Sequence, residues 1–198
     1  MIDPTGWAVA GLAAAWRAAR PFPHAAVDGL LGDAALSRLR DAIALEPHWP
    51  NRGEIFEMMA SGAPTQPLVR EFVAALGGAA VRAAVGAITG RQLARAEGSS
   101  YIYLGGSYLL PHTDHRAGVD RKVAWIYYAS DDDAYQGGEL ELYRCSIDRD
   151  GEIVATELAT TLPPRRDRLL LLDVGPTTLH AVREVRSGAR VSLAGWFY

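Results

Sequence analysis

The chain has one cysteine, Cys145, so no internal disulfide can staple it, and a lone thiol fits a reducing cytoplasm. Cys145 itself reads as a small core residue on a strand. Positive charge is not in excess: the net charge is −3, which argues against nucleic acid as a partner. No apolar run approaches the roughly 20 residues that span a bilayer, so no membrane partner is expected. The opening MIDPTGWAVAGLAAAWRAAR lacks a positively charged start and carries Asp3 early. It ends in Arg17 and Arg20 with no cleavage site after them. It reads as an Ala-rich helix packed through Trp7, Leu12 and Trp16, not as a signal peptide. Internal repeats, low-complexity tails and linkers are also missing. The 198 residues suffice for one core, so a single domain over 1–198 is expected. Nothing in the sequence sets an oligomeric state.

What is present is apolar and aromatic: 49% hydrophobic residues, with five tryptophans and eight tyrosines, suggest a well-packed core or an aromatic-lined pocket. The first half, about 1–97, reads as helical support. Helices are expected over 7–19, over GDAALSRLRDAIAL with Asp33 as its N-cap, and over PLVREFVAALGG and AAVRAAVGAITG, each ended by glycine. PFPHAAVDGLL is a short strand-like segment. EPHWPNRGEIFEMMASGAPTQP, rich in proline and glycine, reads as an irregular connector. From about 98 the period changes. SSYIYLGG, RKVAWIYYAS, GELELYRCSI, EIVATELA, RLLLLDVG, TLHAVREV and ARVSLAGWFY are strand-like runs between Gly, Pro and Asp clusters. The expected class is α+β, a β-sandwich or barrel braced by helices.

LLPHTDHRAG carries the first chemistry. On a strand, His112 and Asp114 share a face and Thr113 points away. Imidazole with carboxylate suits iron, manganese or zinc, and two histidines with one carboxylate leave three positions open, as in non-haem Fe(II) oxygenases. His180, on a late strand, is the candidate third ligand. His24 and His48 lack partners at ligand spacing and read as exposed or hydrogen-bonded, whereas His115, three past His112, falls on the opposite strand face and reads as a surface residue or a support to the ligands. Arg190 and Ser192 share a face of the last, apolar strand. A buried guanidinium there needs an anion, and with a neighbouring hydroxyl it suits a carboxylate.

In this order, YLGG, HTD, RKVAWIYYAS, GGELELY, LHAV, RVS and GWFY resemble the prolyl-4-hydroxylase-type 2-oxoglutarate/Fe(II) dioxygenases, which include the hypoxia-type prolyl hydroxylases. The resemblance runs from about Phe22 to the last residue. It implies a double-stranded β-helix, a jelly-roll or cupin-like core. It also implies Fe(II) on His112, Asp114 and His180, with O2 as oxidant and ascorbate as a possible support. 2-Oxoglutarate would then lie among Arg190, Ser192, Tyr103, Tyr128, Leu140 and Val182. Collagen-type members carry lysine where this chain has Arg190, so the likeness leans to the bacterial and hypoxia-type branch. The implied reaction is hydroxylation of an unactivated C–H bond in a small molecule or amino acid, with release of succinate and CO2. A peptidyl proline is the alternative substrate. Arg121, Arg52 and Phe56 are candidate substrate contacts. The aspartates of SDDDAYQGG are either a solvated run or a negative rim for a cationic substrate. A non-catalytic metal- or ligand-binding β-barrel and a zinc hydrolase on the same triad are the readings from other classes.

Overall fold

The computed structural model describes residues 2–198. A 3-10 turn (Pro4–Gly6) leads into α1 (Val9–Ala18), β1 (His24–Asp28) and α2 (Asp33–Ala44). The hairpin β2 (His48–Gly53) and β3 (Phe56–Ser61) precedes α3 (Pro67–Leu76) and α4 (Ala79–Thr89). Strands then fill the chain: β4 (Ala96–Leu104), β5 (Tyr108–His112), β6 (Val123–Tyr128), β7 (Tyr135–Gly137), β8 (Leu140–Ile147), β9 (Ile153–Leu162), β10 (Arg168–Asp173), β11 (His180–Val182) and β12 (Val185–Phe197). Among the described residues no single helix is long and apolar enough to cross a membrane.

The sheet runs β1-β10-β6-β12-β4-β3-β5-β11-β8-β9, with β2 on β3 and β7 on β12, and every pairing is antiparallel. Its faces are sorted by period 2. Trp125 and Tyr127 of β6, Leu169 and Leu171 of β10, and Leu193 and Phe197 of β12 pack with Leu36, Phe72, Val85 and the rest of the helical layer. Their alternates Ala124, Tyr128, Leu170 and Leu172 face inward and meet Leu140 and Leu142 of β8 and Val182 of β11. The sheet therefore closes on itself, and RLLLL is a continuous apolar run because β10 is covered on both faces. This is the expected double-stranded β-helix braced by helices. Trp16 is buried and Trp7 and Leu12 pack beside it, as their spacing predicts.

Four expectations are corrected. Residues 46–66 are not an irregular connector: they carry the β2–β3 hairpin, which joins the sheet through β4 and β5. Pro50 sits on β2, a strand with one hydrogen-bonded neighbour, where a missing N–H is tolerated. The cap of α2 is Gly32 at φ 76°, not Asp33, and the buried Asp167 carboxylate accepts from the N–H groups of Leu31 (3.0 Å) and Gly32 (2.8 Å). Cys145 lies on β8 but is only half-buried. Of the two readings of the aspartate run, solvation holds for Asp132 and Asp133, which are exposed, and the negative rim does not, since none of the three lines the cavity that holds His112 and His180. Asp131 pairs with Arg40 (2.5 Å) and Arg166 (2.9 Å), and Asp132 accepts from the Arg166 N–H.

Candidate active site

β5 and β11 are neighbours, and their register sets His112 directly opposite His180. The two rings lie 4.4 Å apart, and His180 Nε2 is 3.6 Å from Asp114 Oδ2. One donor atom from each of the three side chains falls within 4.8 Å of the others, the span of a single ion's coordination shell. Each imidazole is oriented by its own backbone. His112 Nδ1 lies 3.0 Å from the Leu110 carbonyl, and His180 Nδ1 lies 3.0 Å from the Thr178 carbonyl. A carbonyl only accepts, so both Nδ1 atoms carry the hydrogen and both Nε2 lone pairs are left for a metal. Burial and the neighbouring His180 hold the His112 pKa below the usual histidine value, with Asp114 opposing them, so the neutral, ligating form is favoured.

Strand alternation is not what brings His112 and Asp114 together. β5 ends at His112, and Asp114 reaches the cluster from the bend beyond it. Thr113, expected to point away, lines the same cavity. His115 is exposed and outside the cluster. His24 and His48 are satisfied structurally: His24 Nδ1 bonds the Phe22 carbonyl, and His48 bonds the Glu46 carbonyl and the Ser100 hydroxyl.

β12 lies between β4 and β6, so Arg190 sits opposite Tyr103, and Ser192 opposite both Tyr101 and Tyr128. Arg190 is only 2% exposed, and Ser192 only 1%. The guanidinium carbon stands 4.2 Å from the Tyr103 ring centre and 5.5 Å from that of Tyr128. Nη1 donates to the Gly138 carbonyl at 2.6 Å. Gly138, at φ +73°, permits that approach: a Cβ there would meet Arg190 Cδ at 3.0 Å. The Arg190 Nε and the Tyr128 hydroxyl are buried without partners. Among the described residues no carboxylate pairs with Arg190. Burial pushes the Tyr103 pKa up to about 12 against the pull of Arg190, so its phenol stays a donor. A buried cation with unused donors and two protonated phenols beside it is a receptor for a carboxylate.

The triad, Arg190, Ser192 and Tyr103 line one cavity of about 270 Å³, with Tyr128 buried behind Arg190 and outside that lining. Leu140 and Val182, directly opposed on β8 and β11, form part of its wall. Of the candidate substrate contacts, Arg121 and Phe56 line the cavity, whereas Arg52 does not. Arg52 is exposed and pairs with Glu57 across the hairpin at 2.8 Å. Its neighbour Asn51, on the opposite face of β2, lines the cavity instead. Sequence reasoning missed Asn51, Tyr101, Arg116 and Trp196. The signal for Trp196 was legible: Arg190, Ser192, Ala194 and Trp196 are alternate residues of one strand, and all four line the cavity.

A double-stranded β-helix holding a two-histidine, one-carboxylate cluster and a buried arginine in one cavity defines the class of mononuclear iron oxygenases that use a 2-oxo acid. The sequence profile of the 2OG-Fe(II) oxygenase superfamily matches residues 98–198, and the chain belongs to that family. The family is named for Fe(II) and 2-oxoglutarate, and His112, Asp114 and His180 are a ligand set that fits such an iron. Mouse prolyl 3-hydroxylase OGFOD1 is 36% identical over 93 residues, 46% of this chain. That match covers 16% of the mouse protein. Among solved structures, a prolyl-4-hydroxylase of Pseudomonas putida superposes with a TM-score of 0.69 at 21% identity, over 94% of this chain and 97% of the other. A prolyl hydroxylase of Trichoplax adhaerens, in complex with a hypoxia inducible factor oxygen degradation domain peptide fragment, gives a TM-score of 0.66 at 14% identity, covering 96% and 86%. At these identities the two structures establish likeness of fold.

Proposed function

We propose that this protein hydroxylates an unactivated C–H bond of a small molecule or free amino acid, converting 2-oxoglutarate and O2 to succinate and CO2. The observation that carries this reading is Arg190. A guanidinium 2% exposed, with no acid partner, shares a cavity with the His112, Asp114 and His180 cluster. In this reading the three side chains hold Fe(II), and the paired Nδ1 contacts fix the imidazoles in the ligating tautomer. Arg190 binds the far carboxylate of 2-oxoglutarate, with Ser192 and the Tyr103 and Tyr128 phenols as further partners. Leu140 and Val182 wall the chain of the cosubstrate and keep water out. Bound Fe(II) supplies the redox chemistry that couples O2 to oxidative decarboxylation and C–H hydroxylation. The β2–β3 hairpin brings Asn51, Phe56 and Met58 to the cavity wall, which supports a substrate enclosed on several sides.

A peptidyl proline is the second reading, favoured by the likeness to the mouse prolyl 3-hydroxylase and to the peptide-bound Trichoplax structure. One assay separates the two. The protein is incubated with Fe(II), ascorbate and 2-oxoglutarate, and succinate is followed against free amino acids and against proline-containing peptides. Free amino acids are expected to stimulate succinate release. Stimulation confined to the peptides would transfer the assignment to a peptidyl hydroxylase. No succinate under any condition, despite bound Fe(II), would sink both.

A further inference from the structure

Four charged side chains line the cavity: Asp114, Arg116, Arg121 and Arg190. The metal cluster uses Asp114 and the cosubstrate receptor uses Arg190, which leaves two arginines without a task. Arg116 is exposed. Arg121 is different. Its guanidinium carbon lies 3.5 Å from the ring centre of Trp196, and its Nε is buried without a partner. Its one side-chain hydrogen bond is long, from Nη1 to the Asp114 carbonyl at 3.4 Å. No carboxylate of the described residues lies within ion-pair distance of it. Glu97, which feels the Arg121 charge, is taken up by Arg95 at 2.7 Å and by the Tyr198 hydroxyl. A guanidinium stacked on an indole, partly stripped of water and with donors unused, attracts an anion from the cavity. Tyr101 lines the same cavity, and burial together with the Asp114 charge pushes its pKa up, so it remains a donor. Apart from Asp114 no acidic side chain lines the cavity, so a cationic substrate group finds no partner there.

We propose that the molecule oxidised in this cavity carries a carboxylate, held by Arg121 against the Trp196 ring with Tyr101 as a second donor. The inference rests on the dioxygenase reading above and names the substrate class for the same site. One partly desolvated guanidinium presents one charge and a planar pair of N–H groups, which matches a carboxylate. Because Arg121 contacts the backbone of Asp114, the anchored carboxylate lies next to the metal cluster. The oxidised carbon is then within a few bonds of it, as in a free amino acid or other small acid.

The test is equilibrium dialysis of the full chain loaded with Fe(II) and saturating 2-oxoglutarate, without O2. The probes are L-proline, L-leucine and phenylacetate, each beside its primary amide. At least one acid is expected to bind about tenfold or more tighter than its amide, the worth of a charged hydrogen bond. Arg121→Ala is expected to erase that difference. Arg121→Gln, which keeps the stem over Trp196, should erase it too, and Arg121→Lys should restore part of it. The last two keep the test open should the alanine variant not fold. Equal binding of acids and amides by the wild-type protein, or a preference that survives Arg121→Gln, would overturn the proposal. 2-Oxoglutarate binding is read in the same cells, and its absence in the wild-type protein would instead overturn the dioxygenase reading.

Discussion

Removing a guanidinium from water without an anion costs several kcal/mol, and at Arg190 the fold accepts that cost beside two protonated phenols. The cost is recovered only when a carboxylate arrives. Arg190→Leu is therefore expected to leave the melting temperature of the ligand-free protein unchanged or raised. The same variant should lose the stabilisation that 2-oxoglutarate gives in the presence of metal. For the wild-type protein that gain is about 2.7 kcal/mol at a hundredfold excess over Kd, or roughly 5–11 °C for a chain of this size. Thermal denaturation with and without 2-oxoglutarate checks it, and equal stabilisation of both proteins would refute the role of Arg190. At this scale much of the site was legible. His112, Asp114, His180, Arg190 and Ser192 are few polar side chains in apolar surroundings, and polarity in such a place needs a reason. Arg52 was misread because its sequence neighbourhood does not show which way it faces: the Glu57 that holds it is set by a hairpin register that no periodicity announced.

Elements impose their own constraints. β12 and β4 approach so closely that Gly195 lies opposite Gly98. A Cβ on Gly195 would run into the Glu97 carbonyl, and one on Gly98 into the Trp125 ring and the Ala194 carbonyl at 2.7 Å. Gly98→Ala and Gly195→Ala are each expected to cost about 3 kcal/mol or more, because backbone as well as side chain must move. Urea unfolding checks this, and a loss under about 1 kcal/mol would contradict the close pairing. Glu46 joins the end of α2 to the start of α3. Its carboxylate accepts from the Thr65 N–H (2.9 Å) and hydroxyl (2.7 Å) and from the Gln66 N–H (2.8 Å). Burial pulls its pKa up, yet these bonds outweigh burial, and the net shift is downward. The folded chain thus holds the charged form more tightly than the unfolded chain. Its stabilisation is present above the unfolded value of about 4.3 and is lost as pH falls below that toward the folded pKa. Glu46→Gln should be less stable by about 1.5–3 kcal/mol at neutral pH, with the difference shrinking at low pH. Denaturation curves across pH 3–7 test the sign. Helices and central strands were readable because buried faces impose a period. The β2–β3 hairpin was not, since β2 is mostly exposed and Pro50 and Gly53 read as breakers.

Across the molecule, function depends on closure of the sheet. Residues 112 and 180 are far apart in sequence and become cross-strand partners only because β5 and β11 pair. Sequence order and motif resemblance pointed to that meeting, but only the register shows it. The strands β5, β11 and β8 supply one side of the cavity, and β6, β12 and β4 supply the Arg190 side. Metal cluster and carboxylate receptor are thus held on opposite walls by different strands, and a molecule that bridges them must bind both. The most direct measurement is therefore anaerobic visible absorption during titration with Fe(II) and 2-oxoglutarate, which follows the charge-transfer band that appears when a 2-oxo acid and ferrous iron bind together. The band is expected only with both additives. It should be absent in His180→Ala, and in Arg190→Ala it should require much more 2-oxoglutarate. A wild-type protein that binds both additives without the band, or a band that His180→Ala leaves intact, would contradict the account.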